Sequence, residues 1–168
     1  LAHNRVLRSL DLRDNNEVTA AGWRAFLAVL ENPNSALEKV GCGINDEVLV
    51  LFASSLMHNS RLKELYLNIY DDEGDIAITN WGALSNVLCN KSSIDTTFSS
   101  NHTLQRVFEK SWLVSHLPSD LQSLFMLNRE NTKVEAARRK ILNAHFRGDF
   151  SMQPFIDMDL QVLPYAIA

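Results

Sequence analysis

No stretch of this 168-residue chain approaches the ~18 consecutive apolar residues of a membrane-spanning helix, so no membrane association is expected. Cysteine is scarce. Cys42 and Cys89 are the two, and the surrounding pattern places one in a strand and the other near a helix end. A structural disulfide is therefore not expected, and a reduced, intracellular and cytoplasmic setting fits. Strong charge of either sign is also missing: 16 Lys and Arg against 20 Asp and Glu leave a formal net charge of −4. That balance gives no reason to expect a polyanion-binding surface, and nucleic acid is not an expected partner. Long polar tracts are absent as well, so the chain reads as ordered and large enough to bury a real core in one ordinary domain.

The elements of catalysis are missing in the same way. His3, His58, His102, His116 and His145 are scattered without the paired spacing of a metal site. There is no glycine loop to cradle phosphate and no serine elbow. Cys42 takes the place of a strand leucine and should point into the core, which makes it a poor nucleophile. No catalytic residue, metal or cofactor is expected, and the chain is not read as an enzyme. The sequons Asn90-Lys91-Ser92 and Asn101-His102-Thr103 would matter only in a secreted protein and are read as chance matches.

A repeat is present. Leu62-Lys63-Glu64-Leu65-Tyr66-Leu67 spells leucine, two variable residues, leucine, one variable residue, leucine. The same spacing stands at Leu7-Arg8-Ser9-Leu10-Asp11-Leu12, and in weaker form from Leu37 and from Leu104. Starts at 7, 37 and 62 lie 30 and 25 residues apart, the sign of units that lean on their neighbours. Each short strand is followed by a helical pattern. In the first unit Trp23, Phe26, Leu27 and Leu30 recur at spacings of three and four; in the second Leu49, Phe52, Ala53 and Leu56 do so; in the third Trp81, Leu84, Ser85 and Leu88.

The second unit is shorter than the pattern asks, and Gly41-Cys42-Gly43 predicts a distorted or shallow turn there. Before the third helix, Tyr70-Asp71-Asp72-Glu73-Gly74-Asp75 reads as a projecting acidic loop; its spacing lacks the alternating ligands of a calcium loop, so solvated charge is the simpler reading. Further on, Ile94 and Leu104 both look like approaches to a strand. Only ten residues separate them, too few for a full strand and helix, and Leu104 to Phe108 is the favoured strand.

From Leu117 the pattern turns helical. Pro118-Ser119-Asp120 opens a short helix carrying Leu121, Leu124, Phe125 and Leu127. Thr132-Lys133-Val134-Glu135 reads as a capping box opening a longer one, with Val134, Ala137, Ile141, Leu142 and His145 along one side. A last helix is expected near Pro154. Residues from about 112 onward are read as a C-terminal cap covering the exposed end of the repeats. The chain opens on Leu1 and stops inside the apolar run Leu163-Pro164-Tyr165-Ala166-Ile167-Ala168, and is read as a fragment.

The units resemble leucine-rich repeats of the ribonuclease-inhibitor type, over about residues 5 to 110, with the best agreement in the first and third units. The resemblance implies an α/β fold: a solenoid of strand–helix repeats with a curved parallel sheet over residues 1–111, and a helical C-terminal region over 112–168. It also implies a protein-recognition surface on the concave, strand side. That family includes inhibitors, GTPase-activating proteins and sensor domains, so a GTPase-activating regulator, or the sensor or adaptor portion of a larger protein, stays open beside a plain binding module.

Alternation along a strand turns the leucines inward, and the residues between them look out from the concave face. These are Ser9, Asp11 and Arg13; Lys39, Gly41 and Gly43; Glu64, Tyr66 and Asn68; and Arg106, Phe108 and Lys110. Tyr66 and Phe108 share a column, as aromatic anchors of an interface do. Lys39, Glu64 and Arg106 share the next, suited to charge complementarity. The expected partner-binding set is Asp11, Arg13, Lys39, Glu64, Tyr66, Arg106 and Phe108, in a monomer that binds another protein. Trp23 and Trp81 are read as packing between successive helices, Arg138-Arg139-Lys140 as a solvated helix face, and Arg147-Gly148-Asp149 as a plain turn.

Overall fold

The computed structural model describes residues 4–15, 17–69, 80–109, 117–146, 159, 161, 162 and 164. Four strands, β1 (Ser9–Leu12), β2 (Lys39–Ile44), β3 (Glu64–Ile69) and β4 (Arg106–Glu109), form one parallel sheet in the order β1-β2-β3-β4. Each strand is joined to the next through helix: α1 (Ala20–Glu31), α2 (Asp46–Leu56), and the pair α3 (Trp81–Leu88) and α4 (Ile94–Phe98) before β4. Further along the chain come α5 (Ser119–Glu130) and α6 (Lys133–His145). The chain is thus α/β, with strands and helices alternating through its first three units.

The hydrophobic periods explain this arrangement. Val40, Cys42, Leu65 and Leu67 leave the sheet on one face and are fully buried. Against them pack Trp23, Phe26, Leu27 and Leu30 of α1, then Leu49, Phe52, Ala53 and Leu56 of α2, then Trp81, Leu84 and Leu88 of α3, all in one core. Trp23 and Trp81 are both buried, and Trp23 meets Phe26 edge-on and Phe52 at a tilt, which makes them packing residues between helices. At about 25 cal/mol per Å² of apolar surface, these large side chains dominate the driving force for the unit-on-unit stack. Leu10 and Leu12 of the edge strand, and Leu7 just before it, are only half-buried against the same core. Leu121 and Phe125 of α5 extend it at the other end.

Three expectations need correction. Gly41-Cys42-Gly43 does not distort the second unit: β2 runs unbroken through it for six residues and passes directly to Asn45, which caps α2 by accepting from the Val48 amide. The unit is shorter because Ile44 is strand and the turn has shrunk to the cap itself. Ile94 begins a helix instead of a strand, since Ser93 and Thr96 form a reciprocal capping box that closes the turn at once. On α6 the Thr132–Glu135 capping box is present, but Val134 and Leu142 are exposed; the buried stripe is Ala136, Ala137, Lys140 and Ile141. The acidic loop from Tyr70 to Asp75, Lys110, His3, His116, Arg147-Gly148-Asp149, Pro154 and the domain boundary expected at residue 111 lie outside the described residues.

Candidate functional site

The parallel register sets the outward residues of neighbouring strands side by side. Ser9, Lys39, Glu64 and Arg106 form one row across the four strands, and Asp11, Gly41, Tyr66 and Phe108 the next. A repeated backbone joint fixes the register. Glu38 and Lys39 both donate to the Arg8 carbonyl, Lys63 and Glu64 to the Glu38 carbonyl, and Gln105 and Arg106 to the Lys63 carbonyl.

In the second row Tyr66 and Phe108 stack, with ring centroids 4.6 Å apart and planes 12° from parallel. Phe108 remains 38% exposed, a large apolar side chain presented to solvent on a sheet face. On the other side of Tyr66, Arg13 brings its guanidinium carbon to 5.9 Å from the ring centroid, within cation–π range. Asp11 holds Arg13 in place, accepting from Nε through both carboxylate oxygens at 2.9 and 3.0 Å and from Nη2. That contact raises the Arg13 pKa further. Gly41 lies between the two strands that carry these groups. A Cβ there would come within 2.6 Å of Asp11 Oδ1 and 3.2 Å of Arg13 Nε, so the absent side chain is what lets the ion pair lie across β2. The result is a notch of about 190 Å³ lined by Ser9, Asp11, Arg13, Lys39, Gly41 and Tyr66.

The first row carries an ion pair between strands. Glu64 Oε2 accepts from the Tyr66 hydroxyl at 2.8 Å and pairs with Lys39 Nζ at 2.9 Å. Lys39, chiefly, and Tyr66 hold the Glu64 carboxyl below the usual range, while the hydrogen bonds that Glu64 accepts, helped by its negative charge, raise both the Lys39 ammonium and the Tyr66 phenol. The Tyr66 ring is thereby oriented from its hydroxyl end and stacked from its face. All seven expected site residues fall on this one face: six in the two rows, and Arg13 just beyond the end of β1, reaching back over Tyr66.

Two features escaped the sequence reading. The first is a column of buried asparagines. Asn59 Nδ2 donates to the Leu30 carbonyl, Asn101 Nδ2 to the Leu56 and Asn59 carbonyls, and Asn128 Nδ2 to those of Asn101 and Leu104. The Asn59 and Asn101 Oδ1 atoms meanwhile accept the backbone N–H groups two and three residues on, as Asn4 does in the first unit. Asn-x-x-Leu at 4, 34, 59 and 101 was the available signal. In the second unit Ser35, not Asn34, is the buried member of the pair. Asn101 is 3% exposed, so its sequon is closed in the folded chain.

The second is Lys140. It is buried, and its ammonium donates to the Leu88 carbonyl at 2.6 Å, to the Asn101 carbonyl at 2.9 Å and to His102 Nδ1 at 3.2 Å. The solvated-face reading of Arg138-Arg139-Lys140 fails at this residue, which ties α6 to the end of α3. Burial lowers its pKa to about 7, and burial together with Lys140 lowers that of His102 to about 4. A cavity of about 470 Å³ between α3, α5 and α6 has Lys140 and Cys89 in its lining. Burial raises the Cys89 thiol and, more strongly, that of Cys42, and both are free. Among the described residues no group of three or more His, Cys, Asp or Glu is placed to hold a metal ion, and no helix is long and apolar enough to cross a membrane.

The fold and this face define an α/β protein of strand–helix units with an ordered polar and aromatic surface on the open side of a parallel sheet. Over 79 residues the chain is 38% identical to the mouse (Mus musculus) NACHT, LRR and PYD domains-containing protein 14. That similarity covers 44% of this chain and 8% of the mouse protein, so the chain corresponds to a small part of its relative. No family model matches the chain, and no solved structure matches it.

Proposed function

We propose that this chain is a non-catalytic recognition module, a solenoid of leucine-rich repeats that binds a partner protein on its concave strand face, with the C-terminal helices as its cap. The Tyr66–Phe108 stack carries this reading: two aromatic rings on a solvent-facing sheet, one contacted by Glu64 and Arg13 and both by each other. Pre-ordered aromatic groups lose little freedom on binding, which is why such residues dominate interface energetics. The partial similarity to a protein with leucine-rich repeats in its name supports the repeat reading. The module works as a monomer in the cytoplasm, without metal or cofactor.

The test compares the proteins retained from cell extract by the wild-type chain and by a Tyr66→Ala, Phe108→Ala double variant, both verified as folded by circular dichroism. A protein held by the first and lost by the second supports the concave face as the recognition surface. Identical retention by both overturns it.

A further inference from the structure

The strand-entry edge of the sheet carries a charge opposite to that of the whole chain. Arg8, Glu38 and Lys63 form one interstrand triad, with Glu38 Oε1 2.9 Å from Arg8 Nη1 and Glu38 Oε2 2.9 Å from Lys63 Nζ. Lys39, Glu64 and Arg106, one position further along the strands, form a second row in the same order of signs. Each row places one carboxylate between two cations and leaves an excess of one positive charge. Arg5 and Arg61 border the Arg8–Glu38 groove, adding two more. Six cations less two carboxylates give +4 at this edge; the chain as a whole is −4, so everything else sums to −8. The two carboxylates are already engaged, Glu38 by Lys63 and Arg8 and Glu64 by Lys39 and the Tyr66 hydroxyl, contacts that lower the pKa of both. The cations are less confined: the Arg8 side chain is 75% exposed and that of Lys39 49%.

From this arrangement, and resting on the concave-face reading above, we infer that the partner presents an acidic segment carrying an aromatic or large apolar side chain. Its carboxylates lie along the Arg8–Lys63 and Lys39–Arg106 rows, and its apolar group lies on the Tyr66–Phe108 stack one row further in. A cationic edge beside a flat aromatic ledge discriminates partners in two ways: by steering acidic chains in and by penalising basic ones.

The test measures fluorescence anisotropy of labelled peptides with the full chain: one of alternating Glu and Phe, its Lys–Phe and Gln–Phe counterparts, and a single-stranded oligonucleotide of equal length. The Glu–Phe peptide is expected to bind at least about tenfold more tightly than either counterpart and to weaken steeply as salt rises. Lys39→Glu with Arg106→Glu should abolish that preference, the milder Lys39→Gln with Arg106→Gln should reduce it, and Tyr66→Ala with Phe108→Ala should weaken binding of every peptide. Equal binding of the three peptides, or failure of the Glu–Phe peptide to bind, overturns the inference. Tighter binding of the oligonucleotide overturns it in favour of nucleic acid. If binding depends on Tyr66 and Phe108 but not on charge, the acidic partner is wrong while the concave-face reading stands. If it depends on charge but not on the rings, the cationic rows bind acid, and both the apolar contact inferred here and the aromatic stack as anchor of the face are overturned.

Discussion

Tyr66 and Phe108 stack at 4.6 Å because they are ladder partners on adjacent parallel strands, so that the backbone register, rather than any feature of the rings, brings them together. Any partner that uses this ledge meets two rings as one surface. Replacing both with alanine should therefore weaken partner binding by at least about 2 kcal/mol, the scale of an aromatic hot spot. Stability should move by less, because the rings lie on the solvent side of the sheet. Titration of a captured partner alongside thermal melts separates the two effects; a large drop in melting temperature with unchanged affinity would make the stack structural.

Gly41 makes a different prediction. A methyl group there would strike Asp11 Oδ1 and Arg13 Nε, both at the ends of flexible side chains and neither part of the backbone. Gly41→Ala should leave stability within about 1 kcal/mol of the wild type. It should also push the Asp11–Arg13 pair off β2 and close the notch beside Tyr66. In a proton NMR spectrum the Arg13 side-chain resonances would lose the shift that an overlying aromatic ring induces. An unchanged Arg13 signature would show that the pair does not depend on the missing side chain.

The asparagine column predicts a hierarchy. Asn101 is buried, and its amide joins the carbonyls of Leu56 and Asn59 to the N–H groups of Thr103 and Leu104. Asn101→Ala strands several buried polar groups at once and should cost on the order of 2–4 kcal/mol. Asn4 makes the equivalent Oδ1 contacts at an exposed position, so Asn4→Ala should change stability by about 0.5 kcal/mol or less. Urea denaturation of the two variants gives the comparison directly. Equal losses would mean that the local turn, and not the burial of the amide, is what matters.

The repeating leucines and the helix stripes were legible because burial imposes periods of 2 and 3.6 on the sequence, and Trp23, Phe26, Leu27 and Leu30 obey the second without exception. The columns of the open face followed at once, since register converts equal repeat positions into neighbours. What was not legible depends on single polar residues in unexpected burial. Asn59 and Asn101 sit in polar stretches that read as loop, and only their common distance from the next leucine marks them. Lys140 was hidden by its neighbours Arg138 and Arg139, although Ala136, Ala137 and Ile141 place it on the buried stripe of α6. The five-residue helix α4 is too short to show any period, and its capping residues Ser93 and Thr96 were the remaining clue.

Lys140 sets a pH dependence whose sign can be worked out. In the folded chain burial brings its pKa to about 7, whereas the unfolded chain holds the proton up to the ordinary lysine range near 10.5. Between those values the unfolded state binds more protons, so this residue makes stability rise with pH above 7 and fall as pH drops through 7. The slope from one such group is at most about 1.4 kcal/mol per pH unit. Cys89 and, more strongly, Cys42 work in the opposite direction at higher pH, because burial raises both thiols from 9.0 and they stay protonated longer in the folded state. His102 contributes separately below its ordinary value of 6.5, down to about 4. The window between about pH 7 and 8.5 therefore isolates the lysine. Lys140→Met removes three hydrogen bonds and one buried charge together, so its absolute stability is not diagnostic, but the rise of stability with pH across that window should disappear. Denaturant midpoints at several pH values for both proteins provide the measurement. Parallel curves would mean that the Leu88 and Asn101 carbonyls and His102 keep Lys140 charged throughout, and that the joint between α6 and the end of α3 is a permanent buried cation.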